Sequence, residues 1–285
     1  MAVMNKEEYL RIHCLDSVKR QYGYGYFEQI IDTLGIDLFN QYTESQAKTE
    51  YYKLKLINQH AFQAGFTRDC ILKLKAEGKL NTDDPLVLVD IGDSAGTHLK
   101  YQKYMLKEDF TDIRCVSVNL DPEAVDKIRM DGGDAVLCRA EDYQPGDEVS
   151  ISCYLSYQMV EHLHNPALFF HRMAKSNNGQ YMVVTVPYQR TSRVGLRYSE
   201  WHESFEFITA EQEHIFELSP KDWQKLIRHS GWKVIDDRTY FQYPVDSIFA
   251  SYYRKFWNAS DFEGFYAMFL ERDMTVADKY TAWED

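Results

Sequence analysis

The chain has 285 residues, 45% of them hydrophobic and 27% charged, which are the proportions of an ordinary globular protein. They exclude the intrinsically disordered, collagen-like and disulfide-scaffold classes. The 44 acidic and 32 basic residues give a formal net charge of −12. A negative surface repels phosphate backbones, so nucleic acid is not expected as a partner.

The sequence also predicts a cytoplasmic location. Residues 1–10 lack the apolar core of a signal peptide. No apolar run approaches the ~18 residues that span a bilayer, so no membrane association is expected. The five cysteines are scattered and form no C-x-x-C pair, as expected for reduced thiols.

Residues 1–84 are predicted to form a helical N-terminal extension. Within 44–64, apolar residues recur at every third or fourth position, which is the spacing of one helix face. Shorter helices are predicted over 26–34 and 67–76, and the second of these ends near Gly78. Asp83, Asp84 and Pro85 then predict a break in the chain.

From residue 86 the pattern changes to short apolar runs, which are typical of strands buried on both faces. The predicted strands are 86–89, 115–120, 135–138, 149–155, 181–186 and 232–235. Helical segments lie between most of them and begin at Pro122, Pro166 and Pro220. Alternating strands and helices predict an α/β fold with a doubly wound, mostly parallel sheet over 85–236.

Residues 237–285 hold 14 of the 42 aromatic residues and are predicted as an aromatic-rich C-terminal extension made of the last strands and a helix. Phe249, Tyr252, Tyr253, Phe256 and Trp257 are spaced as on one helix face. We expect this face to cover the sheet edge or to contact a second copy of the chain. Stacking against the substrate is the alternative.

The turn after the first predicted strand, 90–96, contains Gly92 and Gly96. Glycines at such a turn let a ligand approach the backbone beside the positive end of the next helix. In a parallel sheet the ligand lies at the carboxyl ends of the strands. Residues that end or follow the second, third and fourth predicted strands are therefore further candidates: Asn119, Leu120, Ala140, Glu141, Asp142, Leu155, Ser156 and Tyr157.

This order of motifs resembles the class I S-adenosylmethionine-dependent methyltransferases, in particular the branch whose fourth motif reads E-H-L/V-x-D/N-P. The stretches that carry the resemblance are V-E-H-L-H-N-P at 160–166, T-V-P-Y at 185–188 and H-I-F-E-L-S-P at 214–220. The resemblance covers 86–235 and neither terminal extension. It implies a Rossmann-like seven-stranded sheet, S-adenosyl-L-methionine as cofactor and S-adenosyl-L-homocysteine as product.

The resemblance also implies which residues bind the cofactor. Asp90, Gly92, Asp93, Ser94 and Gly96 surround the methionine moiety, with Ser94 in the place of the family's middle glycine. Asn119, with Leu120 beside it, takes the position of the ribose-binding acid. Residues 140–142 lie on the adenine side, and 155–157 lie beneath the sulfonium.

Three residues are candidates for catalysis or metal binding. Glu161, His162 and His214 can each take the proton of an acceptor hydroxyl. With Gln158 they resemble the E-x-x-E-H…H metal site of methyltransferases that act on RNA 3′ ends and of some quinone methyltransferases, so Mg²⁺, Mn²⁺ or Zn²⁺ is a candidate cofactor. Gln158 stands in the place of the first Glu. Helix capping, packing and an ordinary loop position are the alternative roles.

The long polar stretch 189–212 is a predicted substrate-binding loop. Tyr188, Arg190, Arg193 and Arg197 are expected to bind an acidic group of the acceptor. Pairing of the arginines with Glu200, Glu203 and Glu206 is the alternative.

We therefore predict an S-adenosylmethionine-dependent methyltransferase that acts on a hydroxyl of a small polar acceptor, a sugar or nucleotide-linked sugar in glycan or natural-product biosynthesis. Three other classes stay open. They are a metal-dependent 2′-O-methyltransferase of RNA 3′ ends, a nicotinamide-dependent oxidoreductase, and a non-catalytic cofactor-binding or assembly protein of the same fold.

Overall fold

The computed structural model describes residues 5–41, 49–81, 83–146, 150–176, 178–194, 214–260 and 262–280. The helices are α1 (Lys6–Tyr22), α2 (Phe27–Leu34), α3 (Glu50–Ala76), α4 (Thr97–Leu106), α5 (Pro122–Met130), α6 (Pro166–Ser176), α7 (Pro220–His229) and α8 (Ala250–Ser260). The strands are β1 (Leu86–Ile91), β2 (Ile113–Asn119), β3 (Asp134–Leu137), β4 (Cys153–Tyr157), β5 (Tyr181–Pro187), β6 (Arg193–Val194), β7 (Phe216–Glu217), β8 (Trp232–Phe241) and β9 (Gly264–Arg272). None of the described helices combines the length and apolar character that a membrane crossing requires.

The central sheet has seven strands in the order β3-β2-β1-β4-β5-β9-β8. Strands β1 to β5 pair in parallel with one another, and β9 runs antiparallel to both β5 and β8. The strand order reverses direction between β1 and β4, so the carboxyl ends of these two strands border the crevice in which such sheets bind ligands. The predicted mostly parallel, Rossmann-like seven-stranded fold is confirmed.

Two predicted helices are in fact one. The helices expected over 44–64 and 67–76 are continuous in α3, and Gly65, between the two predicted segments, lies inside it. A Cβ on Gly65 would lie 2.7 Å from the Tyr24 ring, so the missing side chain serves close packing between α3 and the chain before α2. The separation into two helices was wrong, because close packing carries the helix through a glycine whose intrinsic helix propensity is low.

The N-terminal helices share one hydrophobic core with the sheet. Ala61, Phe62 and Phe66 of α3 pack with Leu155 of β4 and Phe269 of β9 in the same buried cluster. Polar contacts join the same elements. Gln21 of α1 donates to the carbonyl of Phe241 at 2.8 Å, and the Tyr22 hydroxyl donates to the carbonyl of Thr239 at 2.6 Å. Helix α3 therefore lies across one face of the sheet and reaches its carboxyl edge.

The boundary predicted between residues 236 and 237 falls inside β8, which runs to Phe241. Strand β9, also from the predicted C-terminal extension, lies between β5 and β8 in the sheet. Helix α8 packs through Trp257 against Leu10 and Cys14 of α1, whereas Phe249, Tyr252 and Phe256 of the predicted aromatic face are exposed. A contact between two copies through this face stays a prediction.

Candidate functional site

The turn between β1 and α4 depends on two glycines. Gly92 has a φ of +94°, and Gly96, the residue before α4, has a φ of +69°. A Cβ on Gly92 would lie 2.5 Å from Cγ of Met159, which follows β4 and packs against the turn. The predicted glycine-rich turn is thus a tight loop that Met159 packs against, with Gly92 exposed and the N-terminus of α4 beside it.

Asp93 holds this turn together from within. One oxygen of its buried carboxylate accepts hydrogen bonds from the backbone N–H groups of Ala95 (3.3 Å) and Gly96 (2.9 Å). The other accepts from the Ser117 hydroxyl at 3.0 Å. Burial raises the pKa of Asp93, and these hydrogen bonds oppose the rise. Its carboxylate is therefore engaged in the turn. A cofactor contact through Asp93 stays a prediction.

Asp90 differs from Asp93 in having an unsatisfied oxygen. Its side chain is buried at the end of β1, and Oδ2 accepts no hydrogen bond within the described residues. The nearest basic group is the imidazole of His98 in the first turn of α4, whose Nδ1 lies 3.7 Å away. Burial, and then the charge of Asp93, raises the pKa of Asp90. A buried oxygen of this kind marks a position for a donor that a ligand can supply.

The predicted ribose position is partly occupied by internal contacts. Nδ2 of Asn119 donates to the carbonyl of Asp93 at 3.1 Å, and Oδ1 accepts from the backbone N–H of Asp121 at 2.8 Å. One amide hydrogen and one lone pair remain for a ribose hydroxyl. Leu120, the next residue, is 63% exposed, and Ser94 is half-buried. Contacts of these residues with a ribose stay predictions.

Residues Ala140–Asp142 form a short 3₁₀ helix after β3. Arg172 of α6 holds this turn, donating from Nη1 to the carbonyl of Glu141 at 2.9 Å and to Oδ1 of Asp142 at 3.3 Å. The Asp142 carboxylate therefore has a cationic partner of its own. The adenine contacts implied for these three residues stay predictions.

The end of β4 forms the floor of the crevice. Leu155 and Ser156 are fully buried, and Ser156 Oγ has no hydrogen-bond partner within the described residues. The Tyr157 hydroxyl lies 2.6 Å from Thr67 Oγ1 of α3. Gln158 follows with a φ of +52°, and its side-chain amide donates to Thr185 Oγ1 at 3.2 Å. The strained backbone at Gln158 lies where β4, β5 and the turn after β1 meet.

Glu161, His162 and His214 lie together, as the sequence predicts. One ligand atom from each residue can be chosen so that all lie within 4.8 Å of one another. The segment before β7 is joined to this cluster by the backbone N–H of Ile215, which donates to the Glu161 carbonyl at 2.8 Å. The rings of His162 and His214 meet edge to face with centroids 4.7 Å apart.

Glu161 is the most unusual group of this cluster. Its side chain is fully buried, and neither carboxylate oxygen has a hydrogen-bond partner within the described residues. Burial raises the pKa of Glu161 to about 7, although the neighbouring His214 opposes the rise. Nδ1 of His214 lies 3.0 Å from Oε1 of Glu217, which fixes the ring and leaves Nε2 for another partner.

The predicted substrate-binding arginines have carboxylate partners that the sequence did not reveal. Arg190 donates from Nε to Glu263 at 2.9 Å, and Arg193 forms an ion pair with Glu217; both carboxylates are buried. The Tyr188 ring packs edge to face on Phe241 with centroids 5.2 Å apart. Arg197 and the predicted partners Glu200, Glu203 and Glu206 lie outside the described residues. Binding of an acidic acceptor group by Arg190 and Arg193 stays a prediction.

Helix α3 adds buried polar residues that the sequence analysis missed. Gln63 bridges His98 (3.1 Å) and Thr185 (2.9 Å), and Thr67 contacts Tyr157. His60 contacts the Tyr101 hydroxyl at 3.2 Å, and burial lowers the pKa of His60 to about 3. In the sequence these polar residues look like the solvent-facing side of an amphipathic helix, so their burial is not predicted. The one sequence feature that could have indicated burial is that several of them are uncharged.

Neither a protein-family model nor a curated protein sequence matches the chain. Among solved structures, the 1,6-didemethyltoxoflavin-N1-methyltransferase of Burkholderia thailandensis, crystallised with 1,6-didemethyltoxoflavin and S-adenosylhomocysteine, is 12% identical, with a TM-score of 0.50 over 96% of this chain and 92% of that one. The (4+2)-cyclase SpnF is 11% identical, with a TM-score of 0.51 over 91% of this chain and 97% of that one. These similarities show a common fold, which hosts more than one reaction.

Proposed function

We propose that this chain is an S-adenosylmethionine-dependent methyltransferase that acts on a hydroxyl of a small polar acceptor. The observation that carries the proposal is that two buried carboxylates lie at one sheet edge, each with an oxygen that has no hydrogen-bond partner within the described residues. Asp90 lies at the glycine turn, where the cofactor is expected, and Glu161 lies after β4 beside two imidazoles. Asp90, as a cofactor-binding group, and Glu161, as a proton acceptor, thus lie at the carboxyl ends of the neighbouring strands β1 and β4.

The residues around the turn fit the parts of the cofactor. Gly92 in the turn is exposed, Asn119 keeps hydrogen-bonding capacity for a ribose, and the exposed Leu120 offers an apolar surface to a purine. When bound, this cofactor supplies a methyl group on a positively charged sulfur, which a nucleophile attacks in line. The chain's task is then to orient the acceptor and to receive its proton.

Glu161 is suited to receive that proton. A base acts best when its pKa lies near the working pH, and burial brings the pKa of Glu161 to about 7. His214 is the second candidate, since Glu217 at 3.0 Å from Nδ1 favours a hydrogen there and leaves Nε2 as an acceptor. Either group can hold a hydroxyl of the acceptor by a hydrogen bond before it takes the proton.

The proposal of a sugar or nucleotide-linked sugar as acceptor rests on the surroundings of this cluster. Phe262 stacks on His214 with centroids 5.3 Å apart, and aromatic rings provide flat faces for the apolar side of a pyranose. The carboxylate of Glu161 and the imidazoles of His162 and His214 can form hydrogen bonds with the hydroxyls of the sugar.

The decisive experiment for the function is calorimetric titration of the chain with S-adenosylhomocysteine and, separately, NADH. We expect micromolar binding of the first and none of the second. Asp90→Asn should weaken S-adenosylhomocysteine about tenfold or more, because a buried acceptor oxygen is lost. Asp126→Asn, at an exposed site on α5, is the matched control and should leave affinity unchanged.

Labelled methyl transfer to nucleotide sugars completes this test. Turnover of any of them supports the proposed acceptor class. Binding of S-adenosylhomocysteine without transfer to any acceptor supports the non-catalytic alternative, and failure to bind S-adenosylhomocysteine contradicts the proposal.

Glu161, His162 and His214 also fit a divalent metal ion, which is the second role that we propose for this cluster. One carboxylate and two imidazoles are a common ligand set for Zn²⁺ and Mn²⁺, and Glu217 would orient His214 from behind. Such an ion would hold acceptor hydroxyls.

Metal addition gives a direct test of this role. Zn²⁺ or Mn²⁺ should raise the Tm of the EDTA-treated protein by about 3 °C or more, because ligands that bind only the folded state stabilise it. His214→Phe should lose the shift, whereas His229→Phe, at the last residue of α7 and in contact with Tyr280, should keep it. An unchanged Tm in the unmodified protein would leave the cluster with its acid–base role alone.

A further inference from the structure

Helix α8 has an apolar side that is wider than the part of it that packs on α1. Tyr253 and Trp257 belong to the hydrophobic cluster between the two helices. Tyr252 and Phe256 each come one position earlier, which places them about 100° further round the helix axis. Each of these exposed rings meets a covered one edge to face, Tyr252 on Tyr253 with centroids 6.2 Å apart and Phe256 on Trp257 at 5.8 Å. The aromatic layer between α8 and α1 therefore continues onto the surface.

The turn before α8 extends this surface. Phe249 starts the helical hydrogen bonding, since its carbonyl accepts from the backbone N–H of Tyr253 at 3.1 Å. Five large apolar side chains between positions 245 and 256 are from 44% to 90% exposed. These side chains form the α8 patch, which consists of Val245, Ile248, Phe249, Tyr252 and Phe256.

The size of the α8 patch is that of the apolar part of one protein interface. Since a large apolar side chain offers about 150–250 Å², the exposed fractions correspond to roughly 500 Å² of apolar surface. Each partner of a standard complex buries about 800 Å², and about 60% of that area is apolar. The α8 patch can therefore supply the apolar area that one stable dimer needs.

Opposite charges lie at the two ends of the α8 patch. Asp246 lies at the end that precedes α8, and Lys255 lies on the helix at the other end; both side chains are exposed. When two copies of the patch meet antiparallel, the acidic end of each lies against the basic end of the other. In the register whose twofold axis passes between residues 250 and 251, Lys255 of one copy lies opposite Asp246 of the second copy.

The apolar side chains match in the same register. Tyr252 of one copy lies opposite Phe249 of the second copy, and Phe256 lies opposite Val245 of the second copy. A twofold interface uses the same surface of both copies, so each of these pairs occurs twice. The α8 patch is thus complementary to itself in both its apolar side chains and its charges.

We infer that the α8 patch binds the same patch of a second copy of this chain, antiparallel about a twofold axis, and that the protein is a homodimer in solution. A lipid surface is a poorer partner, because anionic headgroups repel Asp246. None of the patch residues belongs to the candidate functional site, so dimer formation and the proposed function can be tested separately.

Sedimentation velocity over a range of protein concentrations measures the association. We expect the dimer to predominate at about 50 µM. Tyr252→Glu places a charge in the middle of the α8 patch and should weaken the dimer about tenfold or more, with an unchanged circular dichroism spectrum to show that the variant is folded. Met130→Glu, at an exposed apolar position at the end of α5, is the matched control and should leave the dimer unchanged.

Exchange of the two charges tests the antiparallel arrangement. Asp246→Lys and Lys255→Asp should each weaken the dimer about threefold or more, because each places like charges opposite one another at two positions. The double variant restores opposite charges across the axis and should recover most of the affinity. A double variant that associates no better than the two single variants would overturn the antiparallel arrangement.

Three results would contradict the inferred dimer. The unmodified protein could stay monomeric at about 100 µM, which is well above the range of a stable dimer of this size. A dimer that Tyr252→Glu leaves unchanged would have to use another surface. Binding of the unmodified monomer to vesicles of phosphatidylglycerol and phosphatidylcholine, if Tyr252→Glu abolishes it, would overturn the dimer in favour of a lipid surface.

Discussion

Replacing Glu161 by Gln should make the metal-free protein more stable at pH 8 while it abolishes turnover. The carboxylate is buried with no hydrogen-bond partner among the residues that the structure describes, and its pKa rises from 4.5 to about 7 on folding. The folded protein thus holds this proton more tightly than the unfolded chain. The free energy of unfolding should therefore fall as pH rises from about 4.5 to about 7, by about 3 kcal/mol in all.

Glu161→Gln removes the titrating group and keeps its shape, so this loss of stability should disappear. Urea unfolding in EDTA between pH 4.5 and 8 measures the difference, with turnover followed in parallel and expected to fall at least ~100-fold. In the unmodified protein, turnover should rise with pH through about 7 as Glu161 loses its proton.

Glu217→Gln is the contrasting variant. Glu217 is also buried, but it pairs with Arg193 and His214, so its neutralisation should destabilise the protein. A Glu161→Gln protein less stable than the unmodified one at pH 8 would show that the Glu161 carboxylate has a stabilising partner.

Gly264→Ala should destabilise the fold by about 3 kcal/mol or more. Gly264 begins β9 and pairs with Phe241 of β8. A Cβ there would lie 2.0 Å from the carbonyl oxygen of Tyr240 and 3.0 Å from Cα of Phe241, so the two strands would have to separate. Urea unfolding at pH 7 measures the cost.

Gly25→Ala is the matched control for this substitution. The added Cβ would meet only side-chain carbons of Lys19, at 2.9 Å and beyond. Because a lysine side chain can rotate away, we expect a cost below about 1 kcal/mol. Equal stabilities of the two variants would show that β8 and β9 can accommodate the methyl group.

The glycine turn and the elements around it could be predicted from the sequence because their residues are close together in the chain. Strand β1, the glycines and the start of α4 lie within 86–97, and apolar runs, glycines and prolines are local signals. The meeting of Glu161, His162 and His214 was also predicted, although only by resemblance to a motif.

The rest of the site depends on contacts between distant residues. Arg190 and Glu263 are 73 positions apart, and Gln63 and Thr185 are 122 apart. No local pattern distinguishes an arginine that binds a ligand from one that pairs with a buried carboxylate. The polar residues of α3 were missed for the same reason, since burial of a helix face by another element leaves no trace in its own sequence.

The position of β9 has a consequence for how the chain folds during its synthesis. Strand β8 is the edge of the described sheet and pairs with β9, which also pairs with β5. Until residues 264–272 leave the ribosome, the edge of β5, whose residues are buried in the folded protein, remains unpaired. Strand β8 also has no partner strand through which to join the sheet. A nascent chain can form the five parallel strands early, but it completes its core only when its last strand is inserted between two others. Prematurely terminated chains should therefore aggregate through β5 rather than persist as smaller folded proteins.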